Sequence, residues 1–496
     1  MPPDGEPPAA EELRGLPPAR QDGAALRASV RALRTAGAVL TGVLDDDPTG
    51  SQAMHGVDVV TVPDETAYAA ALSRPVAACF ALTNTRSVAE VQAAALTTEA
   101  ARSLLAAARG RGRMQLVSRS DSTLRGHLLA EVTALQELCR EQRGRGYDAV
   151  LLVPAFLEAG RLTAGDIHWA RGGNGQHVPV GQTEFARDRA FGYSSSNLKD
   201  FIAEKSGGTI SRGDIASISL ADIRVGGPDR VAELLAELPH GRWVVVNAAA
   251  YADLEAVACG VLLAEGAGQS FLFRTGPSFV RALTGTEPAA PLRSGQLWPG
   301  ERPRGNGLIV VGSHVGLTSR QLAVLRDQGG IIPVELSVPA VLRRQPGVVA
   351  ETARQVTAAL SESDVVLYTS RAVADSTGRA NTGKAASLTV AREVSAAVAR
   401  TVRKAVAARP AWVLAKGGIT AHDVALHGLG IRRAEVAGQL FPGMISVLWP
   451  ADAIAEAIGI PYVVFPGNTG DDTTLAQAVD ILRGVSGEPL ARHDAT

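Results

Sequence analysis

Three short segments in the first half of the chain concentrate side chains that could do chemistry, and each follows a run of apolar residues. DDDPTGS, Asp45–Ser51, sets three carboxylates side by side before a Pro, a hydroxyl and a Gly. Adjacent carboxylates repel unless a cation, a donor or a proton offsets them. Asp46 and Asp47 could therefore hold a substrate hydroxyl or Mg²⁺, or supply a general base, as well as form a plain Asp-Pro turn. SRSDSTLRGH, Ser118–His127, flanks Asp121 with Arg119 and Arg125 and places Ser120, Ser122 and Thr123 between them. Asp121 or Ser122 could serve as a helix cap, but two arginines exceed what capping needs. Guanidinium forks match carboxylates and phosphates two bonds at a time, so this segment suits a small anion. Arg86 in TNTRS, Thr83–Ser87, adds another cation after a strand. PAFLEAGRLTAGDIHW, Pro154–Trp169, carries Glu158, Arg161, Asp166 and His168. A lone His in such a segment reads as a hydrogen-bonded structural residue rather than a ligand or base.

The second half repeats a different device. GSHVGLTSRQ (312–321, with Ser313), KGGIT (Lys416, Gly417, Gly418, Ile419, Thr420) and PGNTGDD (466–472, with Gly467) each follow an apolar strand and open a helix. Small residues let backbone amides approach an anion, so three such turns in one lobe point to a nucleotide. Lys416 would add a point charge and Thr420 a helix cap. GRANTGKA (378–385) resembles a P-loop, but Ala385 replaces the hydroxyl that binds Mg²⁺. No G-x-G-x-x-G follows the first strand, and His422 and His427 lack metal-ligand spacing.

The elements that must position these residues alternate strand with helix. AVLTGVL (38–44), VDVVTV (57–62), VAACFALT (76–83), MQLVS (114–118), AVLLV (149–153), WVVVNA (243–248) and SFLFR (270–274) read as strands, with helical stretches over 88–110 and 124–142. LIVVG (308–312), VVLYT (365–369), WVLA (412–415), ISVLW (445–449) and YVVF (462–465) repeat the rhythm, with helices over 318–327, 384–408 and 472–482. The fold class expected is α/β: two layered domains with mainly parallel sheets and an interdomain active-site cleft. The divisions are a Pro-rich mobile tail at 1–22, a substrate domain at 23–283, a Pro/Gly-rich linker at 284–307 and a nucleotide domain at 308–496.

Composition narrows the function. The 49 Lys+Arg balance 50 Asp+Glu and aromatics are 4%, which argues against nucleic-acid partners. Three cysteines are too few for a disulfide framework, no apolar run reaches the ~18 residues of a membrane span, and the N-terminus lacks a signal peptide's apolar segment. A cytoplasmic protein is expected, and a homodimer is the base-rate oligomer.

DDDPTG, SRSDSTLRGH, PAFLEAGRLT, GSH…TSRQ, KGGIT and PGNTGDD, in this order, resemble the four-carbon acid sugar kinases, over about residues 37–485. The resemblance implies a substrate-binding N-terminal domain, a nucleotide-binding C-terminal domain, and ATP with Mg²⁺. It puts ATP contacts on Ser313, Gly417, Gly418, Ile419, Thr420 and Gly467, and substrate contacts on Asp46, Asp47, Arg86 and the Asp121–Arg125 segment, which includes Ser122. Ile419 stands where the family often has an acidic residue. The implied reaction is direct in-line phosphorylation of a terminal hydroxyl of a tetronate or 3-oxotetronate. Arg86, Arg119 or Arg125 would grip the carboxylate, with Asp46 the first choice of base and Asp121 the second. A non-kinase enzyme of acid-sugar metabolism (an aldolase, epimerase or dehydrogenase) and a non-catalytic sensor are the alternatives. An ADP-release screen separates them.

Overall fold

The computed structural model describes residues 15–172, 175–301, 305–312, 316–370, 384–467 and 469–485. The chain forms two compact units, Met1–Pro288 and Ala289–Thr496.

In the first unit α1 (Gly23–Ala36) leads into β1 (Val39–Asp45), β2 (Asp58–Val60), α2 (Glu65–Ala71), β3 (Ala78–Leu82), α3 (Glu90–Ala107), β4 (Arg113–Arg119), α4 (Leu128–Arg143) and β5 (Ala149–Val153). A small antiparallel sheet follows, made of β6 (Arg161–Ala164), β7 (Ile167–Arg171) and β8 (His177–Pro179). Next come α5 (Leu198–Lys205), β9 (Ile215–Ile218), α6 (Gly227–Glu237), β10 (Arg242–Val246), α7 (Tyr251–Gly266), β11 (Phe271–Thr275) and α8 (Pro277–Thr284). The main sheet runs β2-β3-β1-β4-β11-β5-β10-β9, all parallel. A strand covered on both faces reads as an unbroken apolar run, and AVLLV of β5 is such a run, buried at every position. On α4, Leu128, Val132, Leu135 and Leu138 recur at helical spacing and are buried in the same core as Leu116 and Leu152.

The second unit runs β12 (Leu308–Val311), α9 (Gly316–Gln328), β13 (Ile331–Leu336), α10 (Val338–Leu342), α11 (Val348–Leu360), β14 (Asp364–Thr369), α12 (Lys384–Ala405), β15 (Val413–Lys416), α13 (Gly418–Asp423), β16 (Arg433–Phe441), β17 (Met444–Asp452), β18 (Tyr462–Phe465) and α14 (Thr474–Arg483). The strand order is β13-β14-β12-β15-β18-β17-β16, parallel through β18 and antiparallel beyond it. Ile309, Leu414, Val463, Leu475 and Leu482 form its core.

In both units the chain first builds strands on one side of its opening strand and then crosses to the other. Strand order therefore reverses between β1 and β4, and again between β12 and β15. Such switch points leave a crevice at the C-terminal strand ends, where α/β sheets bind ligands.

Several sequence expectations change. The segment expected as a free tail is docked from residue 15: Pro17 O accepts from Arg224 Nη1 at 2.7 Å, and Leu16 packs on the Leu162–Trp169 cluster. Residues 1–14 lie outside the described residues. Within the stretch expected as linker, Leu297 and Trp298 are buried in the second core, and Trp298 Nε1 donates to Ala411 O at 3.0 Å. Its Pro/Gly content hid two anchors. The antiparallel β16–β17 pair had only its second strand visible in the sequence. Among the described residues no helix is long and apolar enough to cross a membrane.

Candidate functional site

Sheet register builds the site of the first unit. Asp45 at the end of β1 lies directly opposite Arg119 at the end of β4, and the two form a buried ion pair. Arg119 Nη2 also donates to Asp47 O at 2.9 Å. Gly50 makes room for this, since a Cβ there would run into the Arg119 guanidinium and Asp45 Oδ1. Burial pushes the Asp45 carboxyl up to about 7; Arg119 opposes this, and Asp46 and Asp47 add to it.

Asp46 is buried and accepts from Arg86 through Nη2 at 2.6 Å and Nε at 3.2 Å, and from Ser120 Oγ at 2.7 Å. Asp47 accepts from Thr49 N at 2.9 Å and lies 3.5 Å from Arg86 Nη1. Burial raises the Asp47 carboxyl, but Arg86 and Arg119, with hydrogen bonds from Thr49, outweigh it and hold it below its ordinary value. Arg86 loses from burial too, yet Asp46, Asp47 and Asp121 hold it charged, well above its usual value.

The loop after β4 brings its residues to the same place. Asp121 accepts from Arg125 Nε at 2.6 Å and from Thr123 Oγ1. Burial works against ionisation of Asp121, but Arg86, Arg125 and Arg161 overcome it and keep the carboxyl far below the usual range. A group so acidic is a poor proton acceptor and a good fixed anion. Ser122 is buried; its Oγ accepts from Arg161 Nη1 at 2.7 Å. The loop turns tightly at Gly126, φ 123°, where a Cβ would lie 2.7 Å from Ser120 Oγ and 3.1 Å from Asp46 Oδ2.

Beneath these loops runs a buried relay. Ser118 on β4 lies opposite Arg274 on β11, whose Nη1 donates to Ser118 Oγ at 2.6 Å and pairs with Glu131 of α4. Arg274 Nη2 donates to Ser120 Oγ at 2.7 Å, so Arg274 orients the serine that holds Asp46. A cavity of about 20 Å³, room for roughly one water, is lined by Ser120, Asp121, Arg125, Arg274 and Thr275 among others. His168 is fully buried, with Nε2 2.8 Å from Ser122 O and Nδ1 3.0 Å from Thr163 Oγ1. Since Ser122 O only accepts, Nε2 carries the proton and Nδ1 accepts from the threonine. Burial pushes the imidazole down to about 4, so it is a neutral structural residue.

Seven expected residues, Asp46, Asp47, Arg86, Arg119, Asp121, Ser122 and Arg125, thus form one connected cluster. The geometry gives Arg119 the task of holding the Asp45–Asp47 loop rather than gripping a substrate, and makes Asp121 an anchor for Arg125 rather than a base. The sequence set Asp45, Ser120 and Arg161 in view without marking them as site residues, and carried no sign of Glu131 or Arg274. Asp166 goes elsewhere, to Asn247, Ser217 and Lys199.

The second unit's loops are built from backbone. Gly417, φ 110°, precedes α13, so the amides of Gly418, Ile419 and Thr420 open a helix without intrahelical acceptors. Thr420 is not the cap: it is the third residue of α13, buried, with its side chain against Gly312, where a Cβ would run into it. Ile419 is 43% exposed on this edge. Lys416 departs furthest from expectation. It is fully buried, its Nζ donates to Pro466 O at 2.7 Å and Gly467 O at 3.4 Å, and it sits 3.9 Å from the Phe465 ring centroid. Burial pushes its ammonium down to about 7. Lys416 therefore ties the end of β15 to the loop after β18. From α9, Thr318 Oγ1 donates to Gly467 O at 3.1 Å, and Gln321 Nε2 donates to Thr469 O and Asp471 O at 3.1 and 2.6 Å. Ser313 and most of the GRANTGKA segment lie outside the described residues.

The described residues hold no group of three His, Cys, Asp or Glu side chains that could bind a metal. Asp45, Asp46 and Asp47 are already matched to Arg119 and Arg86, so they do not fit a bare Mg²⁺ cage. The amide loops do fit phosphate oxygens.

A sugar-binding N-terminal domain model matches residues 41–283, and a nucleotide-binding C-terminal domain model matches residues 308–475. No curated protein matches significantly. Among solved structures, a Haemophilus influenzae DUF1537 protein is 18% identical, with 88% of this chain and 99% of that one covered and a TM-score of 0.56. A Salmonella typhimurium LT2 protein provisionally called a tRNA synthase is 15% identical, with 89% and 98% covered and a TM-score of 0.63. At such identities the likeness speaks to the fold alone. The two domain models between them take in most of the chain, in the order that the two α/β units stand in it, and the chain belongs to the family that joins a sugar-binding N-terminal domain to a nucleotide-binding C-terminal domain.

Proposed function

We propose that the protein is an ATP-dependent kinase of a small acid sugar, transferring the γ-phosphoryl group to a terminal hydroxyl of a four-carbon sugar acid. The observation that carries this reading is the buried Asp46 carboxylate at the first unit's switch point, fixed from two sides by Arg86 and Ser120 inside an arginine-rich cluster. That arrangement suits a hydroxyl and an anionic group on one small molecule. The second unit supports the other half: glycine turns at its own switch point present amides suited to a triphosphate.

In this reading the amides of Gly418, Ile419 and Thr420, with the turn at Gly467, bind phosphate oxygens, while the Gly417 amide donates to Phe465 O at 2.8 Å and Lys416 holds the turn at Gly467 in place. Mg²⁺ comes with the phosphates and neutralises their charge. Ser122 and Arg125 line the acid's place, with Asp121 fixing Arg125. Asp46 takes the proton as the hydroxyl oxygen bonds to the γ-phosphorus and the bond to the ADP oxygen breaks. Asp47 steadies Arg86 opposite Asp46.

An ADP-release assay over four- to six-carbon acid sugars tests the reading. We expect turnover with at least one four-carbon acid, and Asp46→Asn to lower kcat by ~10²–10⁴. No ADP with any acid would remove the kinase reading. Near-normal kcat in Asp46→Asn would remove only the assignment of the base.

A further inference from the structure

Five arginines stand in or beneath the first unit's cluster, and four of them have carboxylate partners. Arg86 pairs with Asp46 and Asp47, Arg119 with Asp45, Arg125 with Asp121 at 2.6 Å, and Arg274 with Glu131. Arg161 differs. Among the described residues it has no carboxylate within ion-pair distance; its one polar side-chain contact is Nη1 to the Ser122 hydroxyl at 2.7 Å. Its guanidinium lies instead between two rings, with Cζ 5.8 Å from the Phe156 centroid and 5.6 Å from that of Phe185. Arg125 lies over the same Phe185 ring at 5.1 Å. The backbone beneath is rigid: Phe156 and Arg161 exchange hydrogen bonds of 3.0 and 2.9 Å across a tight turn.

We propose that Arg161, framed by Phe156 and Phe185, is the receptor for the substrate's carboxylate, which restricts this site to sugar acids and excludes neutral sugars and polyols. The inference rests on the acid-sugar reading and deepens it. A half-buried cation without an anion is costly to keep, and sites tolerate that cost where a ligand supplies the missing charge. Burial bears most heavily on the Arg161 guanidinium; Asp121 offsets part of this, Arg125 and Arg86 repel it, and its affinity for its proton falls below the usual value. A carboxylate would relieve all of these at once and could accept two of the fork's four remaining N–H donors side by side. Ser122, already on Nη1, keeps the fork from swinging away. Arg125, whose guanidinium also lies over the Phe185 ring, adds a second cation close by.

The test is calorimetric titration of the full chain, without nucleotide, with D-erythronate, D-threonate and 3-oxotetronate. Arg161→Met keeps the stem against the two rings and should weaken binding of the preferred acid about 10- to 100-fold. In Arg161→Ala, free guanidinium ion should restore part of the lost binding, which a merely structural arginine would not allow. Should Arg161→Met fail to fold, Arg161→Lys replaces it, with weakened binding still expected because the fork is gone. Affinity within twofold of wild type in Arg161→Met or its substitute, or no rescue by guanidinium, overturns the assignment alone. A wild type that binds none of the three acids takes down the acid-sugar reading and this assignment with it.

Discussion

The two switch points solve the same problem with opposite materials. In the first unit the site is made of charged side chains, most of them matched to an opposite charge, and sheet register sets two of the contacts: Asp45 opposite Arg119, Ser118 opposite Arg274. In the second it is made of main chain, with glycines that clear space and a lysine, a threonine and a glutamine that only hold loop carbonyls. A side-chain site can recognise the shape and charge of one small ligand. A backbone site recognises phosphate in general. The difference also sets how each breaks: the first fails when one charge loses its partner, the second when a turn loses its shape.

The largest effect should come from Arg274. Arg274→Met leaves Glu131 buried and unpaired and frees Ser118 and Ser120. Removing one partner of a buried pair costs about 3–5 kcal/mol, so we expect denaturant unfolding to show a loss of that size. Adding Glu131→Gln removes the stranded charge while leaving an acceptor for the Thr85 hydroxyl, and should recover much of the loss. If the double variant is no better than the single one, the paired charges are not what the first unit's site depends on.

Gly50→Ala comes next. The added methyl collides with Arg119 where it pairs with Asp45, and the contact is to a buried, doubly bonded guanidinium that has nowhere to go. Overpacking of this kind costs about 1–3 kcal/mol. Because Arg119 also carries Asp47 O, we expect a fall in turnover together with the loss of stability. Full activity with unchanged stability would show the Asp45–Asp47 loop to be looser than its contacts imply.

How far the sequence could be read follows the same contrast. Asp46, Arg86, Asp121 and Arg125 were legible because charges clustered just after an apolar strand are costly to hold there unless they pair or meet a ligand. Arg274 was not, since it sits inside the apolar run SFLFR and its partner Glu131 lies on a helix; only the packing of that helix on the sheet brings them together. Arg161 was visible, but nothing in its spacing showed that it would be the arginine without a carboxylate. The parallel core and the helices stood out through apolar periodicity, whereas the antiparallel additions did not. Thr420 and Lys416 had the right neighbourhood and the wrong role, because a three-residue shift in helix start and the inward turn of one lysine leave no mark in composition.

That inward turn gives the smallest and most specific test of the contrast. Lys416 is the buried titratable group in the second unit's loop cluster whose ammonium burial depresses, to about 7 from the ordinary 10.5. A cationic group with a depressed folded value binds fewer protons when folded than when unfolded, between those two limits. Stability from this group should therefore rise with pH from about 7 towards 10.5, with a slope of at most ~1.4 kcal/mol per pH unit. Lys416→Met removes the titration, so the difference between wild-type and variant unfolding free energies should shift in the wild type's favour across that window. The methionine also leaves Pro466 O and Gly467 O without their donor, which costs the variant at every pH and so does not touch the slope. A difference flat from pH 7 to 10 would mean that the ammonium stays charged against Phe465 and the two carbonyls. The second unit would then also have a working cation at its switch point, and the contrast with the first would be one of degree.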